Sequence, residues 1–357
     1  MFGITRFNNL IKYIPSFQNN NKKFNESTII KLSRNRRKIE LKKQILKGSN
    51  FSKAILPSSI FIQCDFSGAN FSEAILIGSK FTMCNLSGAN FSKAILIGVD
   101  FCGSDIIETN FDNANLENAK FTSIDSTSID SLKEYSLKKN KNVNLNRSIF
   151  TNANLSNTDF SHSNLKDVIS GNIKGDVIYS NCCTYHIRGG YIIANGVNLE
   201  GANLEGVDLS RCFLDYSNLK SANLRNANLK GARLLDADLS RANLSGADLS
   251  GADLKDAVLT SIKSFNIIGI PKLSPDYKII SGIIFGPKVN LTGIDLRHIN
   301  FSNLKNVKFT NTKITFNSLT KNQMNQIKNK GTPIFYYRNQ NNKTPIFYYR
   351  NQIRTNN

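Results

Sequence analysis

From Phe51 to Phe121 a large apolar residue falls at every fifth position: Phe51, Leu56, Phe61, Phe66, Phe71, Leu76, Phe81 and onward. Five is neither the helical period of 3.6 nor the strand period of two. In an α-helix, fifth residues advance by about 140° and smear around the cylinder instead of forming a stripe. A plain strand fails as well, because an odd spacing alternates between faces. The chain must therefore turn a corner in every unit. Each unit sends its central residue, and the small residue two before it, to the same side of a short extended segment. Gly, Asn and Ser at the remaining positions supply turn chemistry.

The number of corners in one circuit follows from a second period. The stretch SGANFSEAILIG at 67–78 returns as SGANFSKAILIG at 87–98. Phe51, Phe71, Phe91 and Phe111 form one series, Phe61, Phe81, Phe101 and Phe121 another, and Leu56, Leu76, Leu96 and Leu116 a third. Residue choice repeats every fourth unit, so four units make one coil and like side chains stack in interior columns. The spacing predicts a four-sided β-solenoid. The register restarts at Leu145, and again at Leu199, where it runs to Leu259 through Leu204, Leu224 and Leu244. A last block holds Leu291, Leu296 and Phe301, then slips three residues to Leu304, Phe309, Ile314 and Leu319.

The units Ala222-Asn223-Leu224, Ala227-Asn228-Leu229, Ala237-Asp238-Leu239, Ala242-Asn243-Leu244, Ala247-Asp248-Leu249 and Ala252-Asp253-Leu254 resemble the pentapeptide-repeat family, whose motif is A(D/N)LXX. That resemblance implies an all-β fold, a right-handed quadrilateral β-helix, with short helical or irregular terminal caps. The handedness comes from the resemblance alone. Repeat architecture demands such caps, because end coils expose apolar side chains and unpaired edges.

Nine segments follow from the register. Residues 1–47 form a basic segment with a capping helix, in which Ser27 opens and Gly48 ends a run containing Ile30, Ile39 and Ile45. Repeat blocks occupy 48–121, 143–165, 197–259 and 289–319, separated by interruptions at 122–142, 166–196 and 260–288. The second and third interruptions end in the related stretches YHIRGGYIIANGVNL and YKIISGIIFGPKVNL, each read as a β-hairpin turning near Gly190 or Gly282. They serve either as structural restarts or as projecting loops that touch a partner. Residues 320–357 form a basic tail in which TPIFYYRNQ occurs twice, at 332–340 and 344–352; Ser318 to Ile327 is a weaker helix candidate.

The net charge of +20 is concentrated at the two ends. Residues 1–47 carry 12 basic and 2 acidic side chains, and residues 320–357 carry 7 basic and none acidic. Arg34, Arg36 and Arg37 suit phosphate neutralisation, with a solvated capping helix as the alternative. Tyr336, Tyr337 and Arg338, with Tyr348, Tyr349 and Arg350, interleave rings and cations as single-stranded nucleic acid sites do; a duplicated strand covering the last edge is the other reading. Near the start, Ile4, Phe7, Ile11 and Ile14 lie at helical spacing beside Arg6 and Lys12, consistent with a targeting helix, a membrane-surface helix or a short helix packed on the body. No secretory signal core or run of the roughly 18–20 apolar residues of a membrane span is evident, and the cysteine pattern favours an intracellular setting.

No catalytic constellation emerges: the three histidines are scattered, and no Walker lysine loop, HExxH or GxSxG is present. Asp238, Asp248 and Asp253 read as solvated or turn-bonding groups, and Cys64 and Cys84 as small buried thiols one coil apart. The expectation is a non-catalytic scaffold without metal or cofactor that binds another protein. Nucleic acid or an anionic membrane surface through the basic termini is the alternative, and end-to-end pairing of two copies stays open. A family-implied DNA mimic that binds a type II topoisomerase is disfavoured, because residues 199–259 hold 9 acidic and 7 basic side chains.

Overall fold

The computed structural model describes residues 38–122, 143–160, 163–175, 185–301, 307–315, 318–328, 333–337 and 346–348. The chain divides into two compact units, Met1–Ile192 and Ile193–Asn357.

The first unit is a parallel β-helix of twenty residues per coil. Its bridges run Asn50↔Asn70↔Asn90↔Asn110, Ile55↔Ile75↔Ile95↔Asn115, Lys80↔Asp100↔Lys120 and Asp65↔Asn85↔Asp105, one series per side. One side also carries the strands β1 (Glu40–Lys42), β2 (Ile60–Ile62) and β3 (Lys80–Thr82), paired in parallel. The ladder is the same throughout. Phe71 N–H donates to the Asn90 carbonyl (2.7 Å), and Asn90 N–H donates back to the Ala69 carbonyl (2.9 Å). Each corner is closed by a turn bond such as Ala74 N–H to Phe71 C=O (3.1 Å). The third residue of that turn, Glu73, has φ 58°, a left-handed conformation that favours Gly or Asn yet is held here by a charged residue.

The interior consists of columns. Phe51, Phe71, Phe91, Phe111 and Phe150 stack face to face with centroids 4.8–5.3 Å apart. Phe61, Phe81, Phe101, Phe121 and Phe160 form a second stack, and the two meet edge to face, as at Phe81–Phe91 (6.0 Å). Coil spacing of about 4.8 Å fixes the first distance, and the quadrupole of each ring favours the second arrangement. All these rings are buried. Polar residues at the small inward position hydrogen-bond down the stack: Ser79 Oγ donates to Leu56 C=O and Ser104 Oγ to Phe81 C=O, both at 2.7 Å. Such bonds allow full burial without an orphaned hydroxyl.

The first coil starts earlier than expected. Residues 39–47, assigned on sequence to a capping helix, instead form a coil in which Leu41 and Leu46 are buried and Ile45 is 83% exposed. The five-residue period simply continues backward from Phe51, and Leu41 faces the same column as Phe61. Residues 27–37 of that helix lie outside the described residues.

The interruption at 122–142 does not disturb stacking. Asp105 bridges Asn144 and Lys120 bridges Asp159, each 39 positions on, so the coil resumes in register above its predecessor. The coils also continue past residue 165, with Ile169 over Ile149 and Lys174 over Asn154. Then β4 (Tyr185–Arg188) and β5 (Tyr191–Ala194) form a two-stranded sheet. Gly189 and Gly190 have φ 56° and 79°, as a tight hairpin turn of the primed type requires. Tyr185 ends the second phenylalanine column. Its ring packs edge-on against Phe160 (5.6 Å), and its hydroxyl accepts the Phe160 N–H (3.0 Å) that another coil would otherwise bind. Tyr185→Phe therefore leaves a buried donor unpaired. We expect a loss of about 1–3 kcal/mol, with the Phe160 amide showing the largest gain in hydrogen-exchange rate.

The second unit repeats this scheme with leucine columns, such as Leu204, Leu224 and Leu244, all fully buried. Its coils persist beyond Leu259: Lys263 bridges Asn243, Ile268 bridges Asp248, and β6 (Asp253–Leu254) pairs with β7 (Lys272–Leu273). The hairpin of β8 (Lys278–Ile280) and β9 (Ile283–Phe285) follows. It makes the same contacts as its counterpart. Ile267 N–H donates to Gly282 C=O as Ile173 N–H does to Gly190 C=O, and Ile284 N–H donates to Ser264 Oγ as Ile192 N–H does to Ser170 Oγ. The slipped register appears as β10 (Asn290–Leu291) pairing with β11 (Lys313–Thr315) at an offset of 23.

The stretch Ser318 to Ile327, a weaker helix candidate on sequence at the start of the tail, holds helix α1 (Lys321–Lys328). Thr320 and Gln323 cap it reciprocally, and Gln323 Nε2 also donates to the carbonyls of Leu296 and Ile299, both at 2.8 Å. β12 (Ile334–Tyr337) then extends the sheet on β11, and β13 (Ile346–Tyr348) pairs antiparallel with β12. The two copies of the duplicated segment thus pair with each other.

Candidate interaction faces

Inward positions are nearly uniform, so chemical variety lies at the central outward position of each unit. Asn or Asp there serves the fold first. Asn70 Oδ1 accepts the Ser72 N–H (3.0 Å), and the same Asx turn recurs at Asn90 and Asn110. Asp238, Asp248 and Asp253 accept the N–H groups of Ser240, Ser250 and Lys255. The Ser250 side chain, then its backbone N–H, holds the Asp248 carboxyl below its ordinary range. Asparagine adds a link between coils, as in Asn218 Nδ2 to Asn198 Oδ1 (3.1 Å) and Asn223 Nδ2 to Asn203 Oδ1 (3.1 Å).

The departures from this rule differ from side to side. In the first unit one side presents Lys80, Asp100, Lys120 and Asp159 in alternating charge. Another presents Ile55, Ile75 and Ile95, half-buried and directly stacked, with the half-buried Ile77 and Ile97 along the adjoining corner. In the second unit Phe265, Ile268 and Ile270 are exposed on one coil. The Asp215 carboxylate, nearly buried, meets the Arg233 guanidinium at 2.6 Å and accepts the Leu235 N–H at 3.0 Å. The isoleucine face escaped sequence reasoning, although its signal was present: the Asn/Asp position is Ile three times at a spacing of twenty.

Cys64 and Cys84 occupy the inward column, where Cys84 Sγ lies 3.4 Å from Phe61 C=O in the manner of Ser104. Hydrogen bonding from Cys84 is the largest influence on Cys64 and lowers its thiol pKa. Burial, then Arg188, lowers that of His186. Among the described residues no group of three or more His, Cys, Asp or Glu side chains is placed to hold a metal, and no helix is long and apolar enough to cross a membrane. Of the basic and aromatic candidates, Tyr336 and Tyr337 lie in β12 and Tyr348 in β13. Arg34, Arg36, Arg37, Arg338, Tyr349 and Arg350 fall outside the described residues.

Comparison with curated proteins finds no match. Among solved structures, the chain is similar to HetL, a pentapeptide repeat protein involved in heterocyst differentiation regulation in the cyanobacterium Nostoc, at 24% identity over 69% of this chain and 90% of that one, TM-score 0.22. It is also similar to a pentapeptide repeat protein of the Arabidopsis thaliana thylakoid lumen, at 26% identity over 37% and 75% of the two chains, TM-score 0.19. Full-length QnrB1, a plasmid-mediated fluoroquinolone resistance protein, aligns at 17% identity over 82% and 89%, TM-score 0.18. A family model for pentapeptide repeats matches residues 45–82, 84–122, 141–168, 195–231 and 222–260 in 8 copies. With its coils of four five-residue units and its Asn/Asp turn acceptors, the chain belongs to the pentapeptide-repeat family.

Proposed function

We propose that the chain is a non-catalytic scaffold that binds another protein through the sides of its coils. One observation carries this reading: outward chemistry changes from side to side while the inward columns stay constant. Asn90, Ile95 and Asp100 occupy equivalent outward positions on three successive sides, above the same buried layer of Phe91, Leu96 and Phe101. A binding surface on such a frame is altered at little cost to folding.

The location of the charge favours a second reading, attachment to nucleic acid or an anionic membrane surface through segments 1–47 and 320–357. Affinity capture by the full chain separates the two. Under the scaffold reading, the variant with Arg34, Arg36, Arg37, Arg338 and Arg350 all changed to Gln retains its protein partner, and recovery changes less than about threefold between 50 and 200 mM salt. Under the second, oligonucleotide or anionic vesicle binding falls by about 10³-fold over that salt range and is weakened at least about tenfold in the variant, with a shallower salt dependence. The DNA-mimic reading predicts inhibition of a supercoiling reaction, which the near balance of charge in 199–259 opposes.

A further inference from the structure

We propose that the isoleucine side of the first unit is a two-fold interface with a second copy of this chain, centred between the coils of Ile75 and Ile95. The inference rests on the scaffold reading and names one partner for it. Ile55, Ile75 and Ile95 stack at the centre of this side, where Asn115 and Asn154 continue the column. The corner beside them carries Pro57, Ile77 and Ile97, and the opposite corner carries Lys53, Glu73 and Lys93. The apolar strip is therefore bounded by a charged column along one edge and by an amide ladder, Asn154 Nδ2 to Asn115 Oδ1 at 3.0 Å, at one end. An apolar centre with a polar rim is the anatomy of a protein interface.

The charged column selects the partner, and the apolar corner completes the choice of register. A two-fold axis running along the stack lays Lys53, Glu73 and Lys93 over the apolar corner of the other copy, which desolvates charge without pairing it. An axis across the stack lays like columns over each other in reverse order. Centred on the coil of Glu73, it opposes Glu73 to Glu73 and Lys53 to Lys93. Shifted by half a coil toward Lys93, it opposes Glu73 to the Lys93 of the other copy twice, Ile75 to Ile95 twice and Ile77 to Ile97 twice; the opposite half-coil shift also pairs Glu73 with a lysine but sets Pro57 against Ile77, a smaller apolar contact. Such reciprocity is what an isologous interface requires. Lys53 and Glu73 already lie 3.9 Å apart within the chain. The second copy therefore completes an alternating charge row. A side three coils deep gives a small interface, so the association is weak and concentration-dependent.

The test is sedimentation equilibrium of the full chain over a concentration series. The expected result is a reversible monomer–dimer equilibrium. Ile75→Asn with Ile95→Asn raises the dissociation constant at least about a hundredfold. Its melting curve is retained, because Asn115 and Asn154 already occupy this column and cap their own turns. A charge cycle that leaves the isoleucines intact tests the register: Glu73→Lys or Lys93→Glu alone weakens the dimer about tenfold, and the two together restore it to within about threefold. A chain that is monomeric at every concentration, a dimer indifferent to the isoleucine pair, or a charge swap that fails to restore affinity overturns the proposal. A monomer that captures a different protein overturns self-association and leaves the scaffold reading standing. A monomer that captures no protein removes both.

Discussion

Phe91→Ala lowers the unfolding free energy of the first unit by about 3–5 kcal/mol, whereas Phe51→Ala costs about half as much. Both rings are buried, so exposure does not distinguish them. Neighbours do. Phe91 is stacked on two sides, by Phe71 at 4.8 Å and Phe111 at 5.3 Å, and meets Phe81 and Phe101 edge-on at 6.0 and 5.9 Å. Among the described residues Phe51 makes one face contact, with Phe71 at 4.8 Å, and one edge contact, with Phe66 at 5.8 Å. Removing Phe91 opens a void between rings whose spacing is fixed by the backbone ladder, so the coils above and below have no means of closing onto it. The residual cavity adds its own cost to the lost transfer energy. Phe91→Leu, which keeps most of the volume and matches the leucine columns of the second unit, costs less than about 1.5 kcal/mol. Denaturant titration followed by far-UV circular dichroism measures all three. Equal losses for Phe51→Ala and Phe91→Ala contradict stacking as the source of the difference.

What the sequence reveals depends on how strictly a position is constrained. The phenylalanine columns were legible because one coil lies over the next at a fixed spacing, and a ring at one level selects a ring at the next. The first coil was hidden because Leu41 and Leu46 sit among basic residues, while Ile39 and Ile45 imitate a helical stripe. Coil ends were hidden for a different reason. Ser170 and Ser264 stand where a large apolar residue is expected, and their hydroxyls accept the N–H groups of Ile192 and Ile284 in the covering hairpins. The apolar pattern stops there, but the backbone does not. Outward positions are free of packing constraint, so the isoleucines of one side looked like ordinary variation on Asn and Asp until the bridges set them above one another.

Deletion of residues 124–142 leaves the first unit folded with its stability changed by no more than about 1 kcal/mol, whereas deletion of 123–142 costs more than about 5 kcal/mol. Register alone sets this difference; residues 123–142 lie outside those described. Asp105 bridges Asn144 and Asn110 bridges Ile149 at an offset of 39, against twenty elsewhere in this unit, so nineteen residues stand between one corner and its continuation. Removing nineteen joins Phe121-Thr122-Ser123 to Val143-Asn144-Leu145 and re-creates the five-residue unit. Ser123 then takes the left-handed corner position that Ser58 and Ser221 already occupy at φ 53° and 60°. Removing one more residue makes a four-residue unit. Either the corner is lost or Val143 and Leu145 rotate out of the columns that hold Cys84, Ser104, Leu86 and Ile106, and an apolar pair reaches water on every such arrangement. Thermal melting and hydrogen exchange of the two deletion variants give the comparison directly. If the longer deletion melts like the shorter one, corner spacing does not set the register, and the twenty-residue coil loses its physical basis.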